Sequence, residues 1–306
     1  KPKIRFLMCR LLLFVFTTLF TANCLGQSYL AVDVDNDLYF GTDRYYSSGI
    51  FLEYGKRLDT TSIDSLGPIR TEHWTLGQEI TTPHLRLTER IEKIDYPYNG
   101  WLYLGYAQEH FKNPKKGQGF GLQLGVTGAN VSLAKPVQNT YHKIILGLPP
   151  LSWLATQAQT VHANLFMTYY RGFSSGRNLD WVFYGKAQVG TFQTTARARF
   201  GLQWSTFEGL PFFGNRLEIL SEGLALYFGM QGEYRGHDYA VEGSLFKNNA
   251  ALDVEAVTLK QEWEFGLIYH FKQWRFLTLF NNASKDVKTQ RFSRHNYLNI
   301  TITRLF

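Results

Sequence analysis

The feature that most constrains this chain is a two-residue rhythm that puts charge on one side of extended segments and aromatic rings on the other. In 259–271 the odd positions include Leu259, Trp263, Phe265, Leu267, Tyr269 and Phe271, and the even ones Lys260, Glu262, Glu264, Gly266 and His270. Successive strand side chains point to opposite faces, so such a segment is a strand with one apolar and one charged face. Segment 196–204 repeats it, with Ala198, Phe200, Leu202 and Trp204 against Arg197, Arg199, Gly201 and Gln203. Segment 224–233 does so again, with Leu226, Phe228 and Met230 against Tyr227, Gly229, Gln231 and Glu233. A soluble sandwich shows the same rhythm with its apolar face turned inward; a membrane barrel turns that face to lipid around a polar lumen.

The two ends of the chain favour the barrel. In 297–306, Leu298, Ile300, Ile302 and the terminal Phe306 share one face, and Asn299, Thr301 and Thr303 share the other. Lipid leaves no backbone edge unpaired, so a strand of this kind is expected to zip onto the first. Arg304 interrupts the apolar row near the interface, where a long cation is expected to snorkel.

Residues 1–26 read as a secretion signal. Lys1, Lys3, Arg5 and Arg10 precede the apolar run 11–20, and a small, polar stretch leads to a cleavage point before Gln27. That run is too short for a spanning helix, which takes roughly 20 residues. The Thr-Ala-Asn before Cys24 fits a lipidation box poorly. Cleavage would remove both cysteines, Cys9 and Cys24, and so all thiol and disulfide chemistry. It would also take four positive and no negative charges, lowering the net charge from +7 to +3. The basicity therefore belongs largely to the signal and is no argument for nucleic acid.

For 27–306 the expectation is one all-β domain, a transmembrane antiparallel β-barrel. Twelve strands are expected at 28–38, 48–57, 70–80, 100–111, 118–127, 160–172, 180–192, 195–206, 222–236, 257–272, 274–284 and 295–306. An even number suits a bacterial single-chain barrel and puts both termini in the periplasm. Four outer connections are long: 38–48, 81–99, 128–159 and 237–256. The third is long enough to carry a helix of its own. Ser132 would cap it, Pro136 would sit in its first turn, and Gly147 would end it.

Candidate chemistry gathers in these outer connections. Asp33, Asp35 and Asp37 alternate along one strand face, and three such carboxylates repel unless neutralised. The spacing is not an EF-hand, because Leu38 replaces the turn glycine and Arg44 the bidentate glutamate. Asp33 reads as lumen wall; Asn36 and Asp37, at the outer mouth, are candidates for a hard cation. On the loop helix, Gln138 and His142 lie four apart and so share a face. A neutral histidine at the rim suits general-base activation of water, although a loop histidine is otherwise simply solvated. His162 and His270 read as strand residues, and His73, His84, His110, His237 and His295 lack a partner at comparable spacing. The Gly-Phe-Ser-Ser-Gly run at 172–176 matches a nucleophile elbow, but a turn between barrel strands is the wrong context for a Ser174 nucleophile.

Asp35-Asn-Asp-Leu38, Tyr46-Ser-Ser-Gly49, Gln78-Glu-Ile80, the run 100–105, Gly125-Val-Thr-Gly128, Gln138 to His142 and Trp153 follow one another in this order. Together they resemble the outer-membrane lipid A 3′-O-deacylases, most densely over 30–155. The resemblance implies a twelve-stranded barrel with its site at the outer rim. It also implies a calcium-dependent hydrolase that takes lipid A, in lipopolysaccharide, as substrate and removes its 3′ ester-linked acyl chains. By the same resemblance, Asn36 and Asp37 would hold Ca2+, Ser47 would be the family's small hydroxyl residue, and Gln138 with His142 its helix pair, His142 acting as base. Two positions depart from the pattern. The second-loop lysine has no clear counterpart, Arg90 being nearest and Arg86 next, and Leu148 stands near the position of a glutamate after the histidine.

The residues and the resemblance converge on one mechanism. A cation near Asp37 would polarise an ester carbonyl, and His142 would deprotonate the attacking water, with Gln138 orienting the water or the histidine. Arg44, Arg86, Arg90, Lys135 and Lys143 would meet lipid A phosphates or simply an anionic leaflet. Two other readings stay open: a barrel without catalysis, such as a porin or ligand-binding barrel, and a phospholipase of the outer membrane.

Overall fold

The computed structural model describes residues 28–59, 68–206, 213–214, 216–217 and 222–306. The expected signal, 1–26, lies outside these residues. Twelve strands run β1 Ser28–Asn36, β2 Tyr45–Arg57, β3 Ile69–Thr82, β4 Asn99–Asn113, β5 Lys116–Thr127 and β6 Val161–Ser174, then β7 Leu179–Gly190, β8 Gln193–Ser205, β9 Gly223–Asp238, β10 Leu259–Phe271, β11 Trp274–Ser284 and β12 Arg294–Leu305. Each expected strand is present, and the ends move by three residues at most, at the start of β2. Every neighbouring pair is antiparallel, and β12 pairs with β1 from Tyr29↔Leu305 to Asn36↔Leu298, closing the barrel. The terminal residue joins in: Ser28 and Phe306 exchange backbone hydrogen bonds.

The faces follow the sequence rhythm. Trp263, Phe265, Tyr269, Phe200, Phe228 and Met230 are exposed outward, while Glu262, Glu264, Gln231 and Glu233 are buried in the lumen. Their charges are paired there: Arg197 Nε lies 2.7 Å from Glu233 and Arg199 Nε 2.9 Å from Glu264. Asp33 and Asp35 both accept from the Asn299 amide on β12, so the first two members of the acidic row are lumen wall. Arg304 departs from expectation. It is buried, with its guanidinium over the rings of Trp274 and Phe306, so its charge is covered by aromatic faces rather than extended to the interface.

The outer connections pack into a second layer. Tyr45, Tyr96, Val241 and Val287 form a buried cluster drawn from four chain segments, including the β11–β12 connection, a fifth substantial loop on this side. Asp95 ties three of these segments, accepting from the Tyr45 hydroxyl and from the His84 and Arg291 amides. The expected loop helix is present as α1, Ala134–Tyr141, and runs into a π-turn, His142–Leu146.

Candidate active site

The wall of the barrel decides which solvent this site meets. On β4, Trp101 and Tyr103 are buried and line the lumen, so the alternating residues Gly100 and Leu102 face outward. A Cβ on Gly100 would stand 2.1 Å from Ser132 Oγ and 2.3 Å from Ala134 Cβ. The helix α1 therefore rests on the outside of the wall, and a glycine is what lets it come so close. Beside it, the outward Gln78 of β3 donates its amide to the Ser132 carbonyl at 2.5 Å. Ile80, Tyr98, Ala134, Leu151 and Trp153 pack under the helix, with Tyr98 and Trp153 stacked at 5.0 Å.

The expected cap is displaced by one residue: the N-cap of α1 is Leu133, which makes no side-chain capping hydrogen bond, and Ser132 stands just before it. Ser132 Oγ accepts from the Ala134 amide at 3.3 Å and donates to the Gly128 carbonyl at 2.6 Å. Leu133 takes a left-handed conformation to enter the helix, and Gly147, at φ 68°, ends the π-turn. Gln138 and His142 face the wall and are buried, His142 only 2% exposed. His142 opens the π-turn, an irregularity that frequently marks functional positions.

What meets His142 is Asp43, which sequence reasoning missed. Asp43 Oδ2 lies 2.7 Å from His142 Nε2 and 3.1 Å from Arg86 Nε. Neither approach meets hydrogen-bond geometry, so both are close contacts of Asp43 Oδ2 rather than hydrogen bonds. Asp43 Oδ1 accepts from Ser47 Oγ at 2.7 Å, and the Gln138 amide stands 3.5 Å from both Asp43 Oδ1 and Ser47 Oγ. Buried and bounded by four side chains, Asp43 is the hub of the cluster. The backbone around it is irregular in two places. Tyr45 adopts φ 61°, and the β2–β3 register slips between Tyr46 and Ser48, leaving Ser47 as the extra residue of a bulge. Tyr46 reaches Asp35 in the lumen and Gly49 abuts Tyr46 and Phe51 there, so the bulge is what turns Ser47 outward.

With Nε2 against a carboxylate, the proton of a neutral His142 belongs on Nε2 and the lone pair on Nδ1. That Nδ1 is buried and accepts no hydrogen bond among the described residues. An imidazole placed in this way against a carboxylate can accept a proton at Nδ1.

The remaining expected residues divide. Asp37, fully buried, accepts at Oδ2 from Thr42 Oγ1 (2.8 Å) and from the Arg44 amide (2.9 Å), and its Oδ1 has no hydrogen-bond partner among the described residues. Burial pushes its carboxyl up to about 7, and the charge of Asp43 adds to the rise. An unpartnered buried carboxylate oxygen fits a hard cation. Asn36 turns its Oδ1 back to the Leu38 amide at 2.7 Å, so it would serve with its remaining lone pair. Among the described residues no three His, Cys, Asp or Glu side chains converge, so the other ligands of such a cation would be carbonyls, water or substrate. Arg90 is exposed and outside the cluster; Arg86 takes the place beside Asp43. Its carbonyl is fixed by the Ser152 amide at 3.2 Å and by the Tyr98 hydroxyl. Leu148 is exposed and brings no carboxylate, and Ser174 ends β6 at the opposite rim with Lys115 on its Oγ. The lumen holds a separate cavity of about 530 Å3, whose walls include neither Asp43 nor His142.

Comparison with known proteins agrees with this architecture. The family described as "Outer membrane protein LpxR" matches residues 7–306. LpxR from Salmonella typhimurium is 18% identical and superposes with a TM-score of 0.72 over 91% of this chain and 100% of that one. The β-domain of the Bordetella autotransporter BrkA, 9% identical with a TM-score of 0.50 over 92% of this chain and 99% of that one, shares the barrel alone. Among curated proteins, none matches. The family match spans the whole barrel and the rim cluster of Asp43, Ser47, Gln138 and His142: this chain belongs to the LpxR family of bacterial outer-membrane proteins, the lipid A 3′-O-deacylases.

Proposed function

We propose that this protein hydrolyses the 3′ ester-linked acyl chains of lipid A in the outer leaflet, with His142 as general base and Asp43 as its orienting carboxylate. The observation that carries this reading is the buried His142, with Nε2 on Asp43 and an unpartnered Nδ1, on the outer face of the barrel wall. Lipid A presents its esters on that face, whereas a lumenal site would face a water-filled bore.

In this mechanism Nδ1 takes a proton from water as the water oxygen adds to the ester carbonyl carbon. The imidazolium so formed is stabilised by Asp43, and Ser47 and Gln138 hold Asp43 in place. Collapse of the tetrahedral adduct expels the sugar oxygen, which recovers the proton from His142 Nδ1. The products are a fatty acid and a free 3′ hydroxyl. Arg86 balances the negative charge of Asp43. A divalent cation, Ca2+ by family resemblance, would be held by Asp37 with Asn36 and would supply charge for the developing oxyanion. Lys135 and Lys143, on the polar side of the helix, suit the lipid A phosphates.

The test is mass spectrometry of lipid A from cells expressing the wild type or His142→Ala, with and without calcium. A 3′-deacylated species that requires both His142 and calcium supports the reading. Intact lipid A beside accumulating lyso-phospholipid would replace it with a phospholipase, and no lipid change at all with a barrel lacking catalysis.

A further inference from the structure

One flank of α1 and of the turns at its two ends, next to the row that faces the barrel, is apolar. Leu133, Val137, Tyr141, Ile145 and Leu148 recur every three or four residues and are all between 38% and 59% exposed. They run beside the buried row Ala134, Gln138 and His142, while Lys135, Pro136, Asn139, Thr140 and Lys143 occupy the rest of the circumference. A soluble rim would leave this stripe in water with nothing to gain.

The strands beneath show what covers it. The helix touches the wall at Gly100 and Gln78. Two residues further down β3, roughly 7 Å along the strand, comes Leu76. It is aligned with Leu52 on β2 and Leu104 on β4, and Leu104 with Leu124 on β5. All four are exposed on the outer face of the barrel. The lipid-facing band thus ends roughly 7 Å below the point where the helix meets the wall.

We propose that the stripe Leu133–Val137–Tyr141–Ile145–Leu148 is seated in the hydrocarbon of the outer leaflet and holds the acyl chain of lipid A whose ester carbonyl reaches His142. The acyl-chain contact rests on the deacylase reading; the seating in lipid does not. Apolar contact with α1 on one side and with the Leu52–Leu76–Leu104 row on the other gives the chain a continuous path from the leaflet to the base. Lys135 and Lys143 stay at headgroup level, as expected of a helix lying in the interface. The stripe therefore selects a substrate already embedded in a membrane, and monomeric water-soluble esters gain nothing from it.

The two cysteines of the chain, Cys9 and Cys24, can be replaced by serine, leaving single-cysteine labelling clean. Val137→Cys, Ile145→Cys and Lys143→Cys carry an NBD fluorophore in vesicles of phosphatidylethanolamine and phosphatidylglycerol, each also in a His142→Ala background. Labels at 137 and 145 should be quenched by doxyl-lipid and shielded from iodide, and the label at 143 the reverse. Iodide-accessible labels at 137 and 145 overturn the seating, whatever the enzyme does. In a second arm, Val137→Glu with Ile145→Glu should slow deacylation of vesicle-borne lipid A at least tenfold, mainly through KM, with the barrel folded by gel heat-modifiability. Unchanged turnover by that pair overturns the acyl-chain contact. An inactive wild type with lipid-quenched labels would instead remove the deacylase reading and keep the seating.

Discussion

Asp43 Oδ2 stands 2.7 Å from His142 Nε2, joining the mouth of β2 to the end of the outer-loop helix on the outside of the barrel wall. Neither partner is replaceable by an isostere without a chemical consequence. Asp43→Asn keeps the volume but presents an amide, which removes the charge that stabilises imidazolium and offers a donor to Nε2. The expected result is a loss of about 10³-fold or more in kcat, as when an orienting carboxylate is neutralised in a catalytic triad. Ser47→Ala removes one hydrogen bond to Asp43 and should cost about tenfold. Timed mass spectrometry of lipid A from purified protein in mixed micelles checks both, and equal effects of the two substitutions would remove the hub role from Asp43.

The two arginines of the second outer loop are expected to separate cleanly. Arg86 Nε contacts Asp43 at 3.1 Å, while Arg90 is exposed and touches no member of the cluster. A charge contact of this kind, partly screened by the exposure of Arg86, contributes about 1–2 kcal/mol, or roughly tenfold in rate. Arg86→Ala should therefore lower kcat about tenfold and Arg90→Ala less than twofold. The same lipid assay decides, and equal losses would mean that Arg90 reaches the substrate.

Much of this was legible in the residues, and the exceptions have physical reasons. All twelve strands were visible because each must satisfy lipid on one face and water on the other, which forces period-two alternation. The helix was visible from local signals near its two ends, although Leu133 rather than Ser132 is its N-cap and Gly147 ends the π-turn that follows it. Asp43 was not, because its position depends on a left-handed Tyr45 and on a bulge that rotates Ser47 out of the lumen, and no spacing in the sequence marks either. The choice of Arg86 over Arg90 depends on Tyr98 and Ser152 capturing the Arg86 carbonyl, contacts between distant segments. The π-turn at His142 was likewise invisible, since Gly147 ends a regular helix equally well.

Gly100 makes the seating of the helix testable. A valine there would drive its side chain into Ser132 and Ala134, both held by their own hydrogen bonds and packing. Interiors this close-packed respond to added methyl groups by displacement, at a cost of about 1–3 kcal/mol. Because strand pairing is unaffected, Gly100→Val should give a folded barrel whose activity falls at least tenfold. Heat-modifiability on gels reports the barrel, and protease sensitivity between 128 and 160 reports the displaced loop. A variant with full activity and a protected loop would show that the helix does not depend on this contact.

Acid should loosen the outer layer through Asp286. Burial alone would raise this carboxyl, but Lys260 and Arg235, the latter at 3.0 Å, hold it below the usual carboxylate range. A depressed folded pKa means that the stabilisation is fully present above the unfolded value, about 4, and is lost as pH falls through the folded one. Outer-loop proteolysis by pepsin should therefore rise more steeply below pH 4 in the wild type than in Asp286→Asn, which lacks the titrating group. Parallel pH profiles for the two would place the acid-sensitive contact elsewhere.

Calcium dependence is expected to pass through one oxygen atom. Asp37 Oδ2 is already engaged by Thr42 and Arg44, and Oδ1 is buried without a partner, an arrangement that costs free energy unless a cation or proton fills it. Chelation should abolish deacylation, and added calcium should restore it. Asp37→Ala should raise the calcium needed for half-maximal activity at least tenfold, while Asn36→Ala, whose oxygen is shared with the Leu38 amide, should raise it less. Calorimetric titration of calcium into purified protein reads binding without turnover and so separates a lost ligand from a lost catalytic group. Wild-type affinity in Asp37→Ala would move the cation away from β1, and with it the side from which the ester carbonyl is polarised.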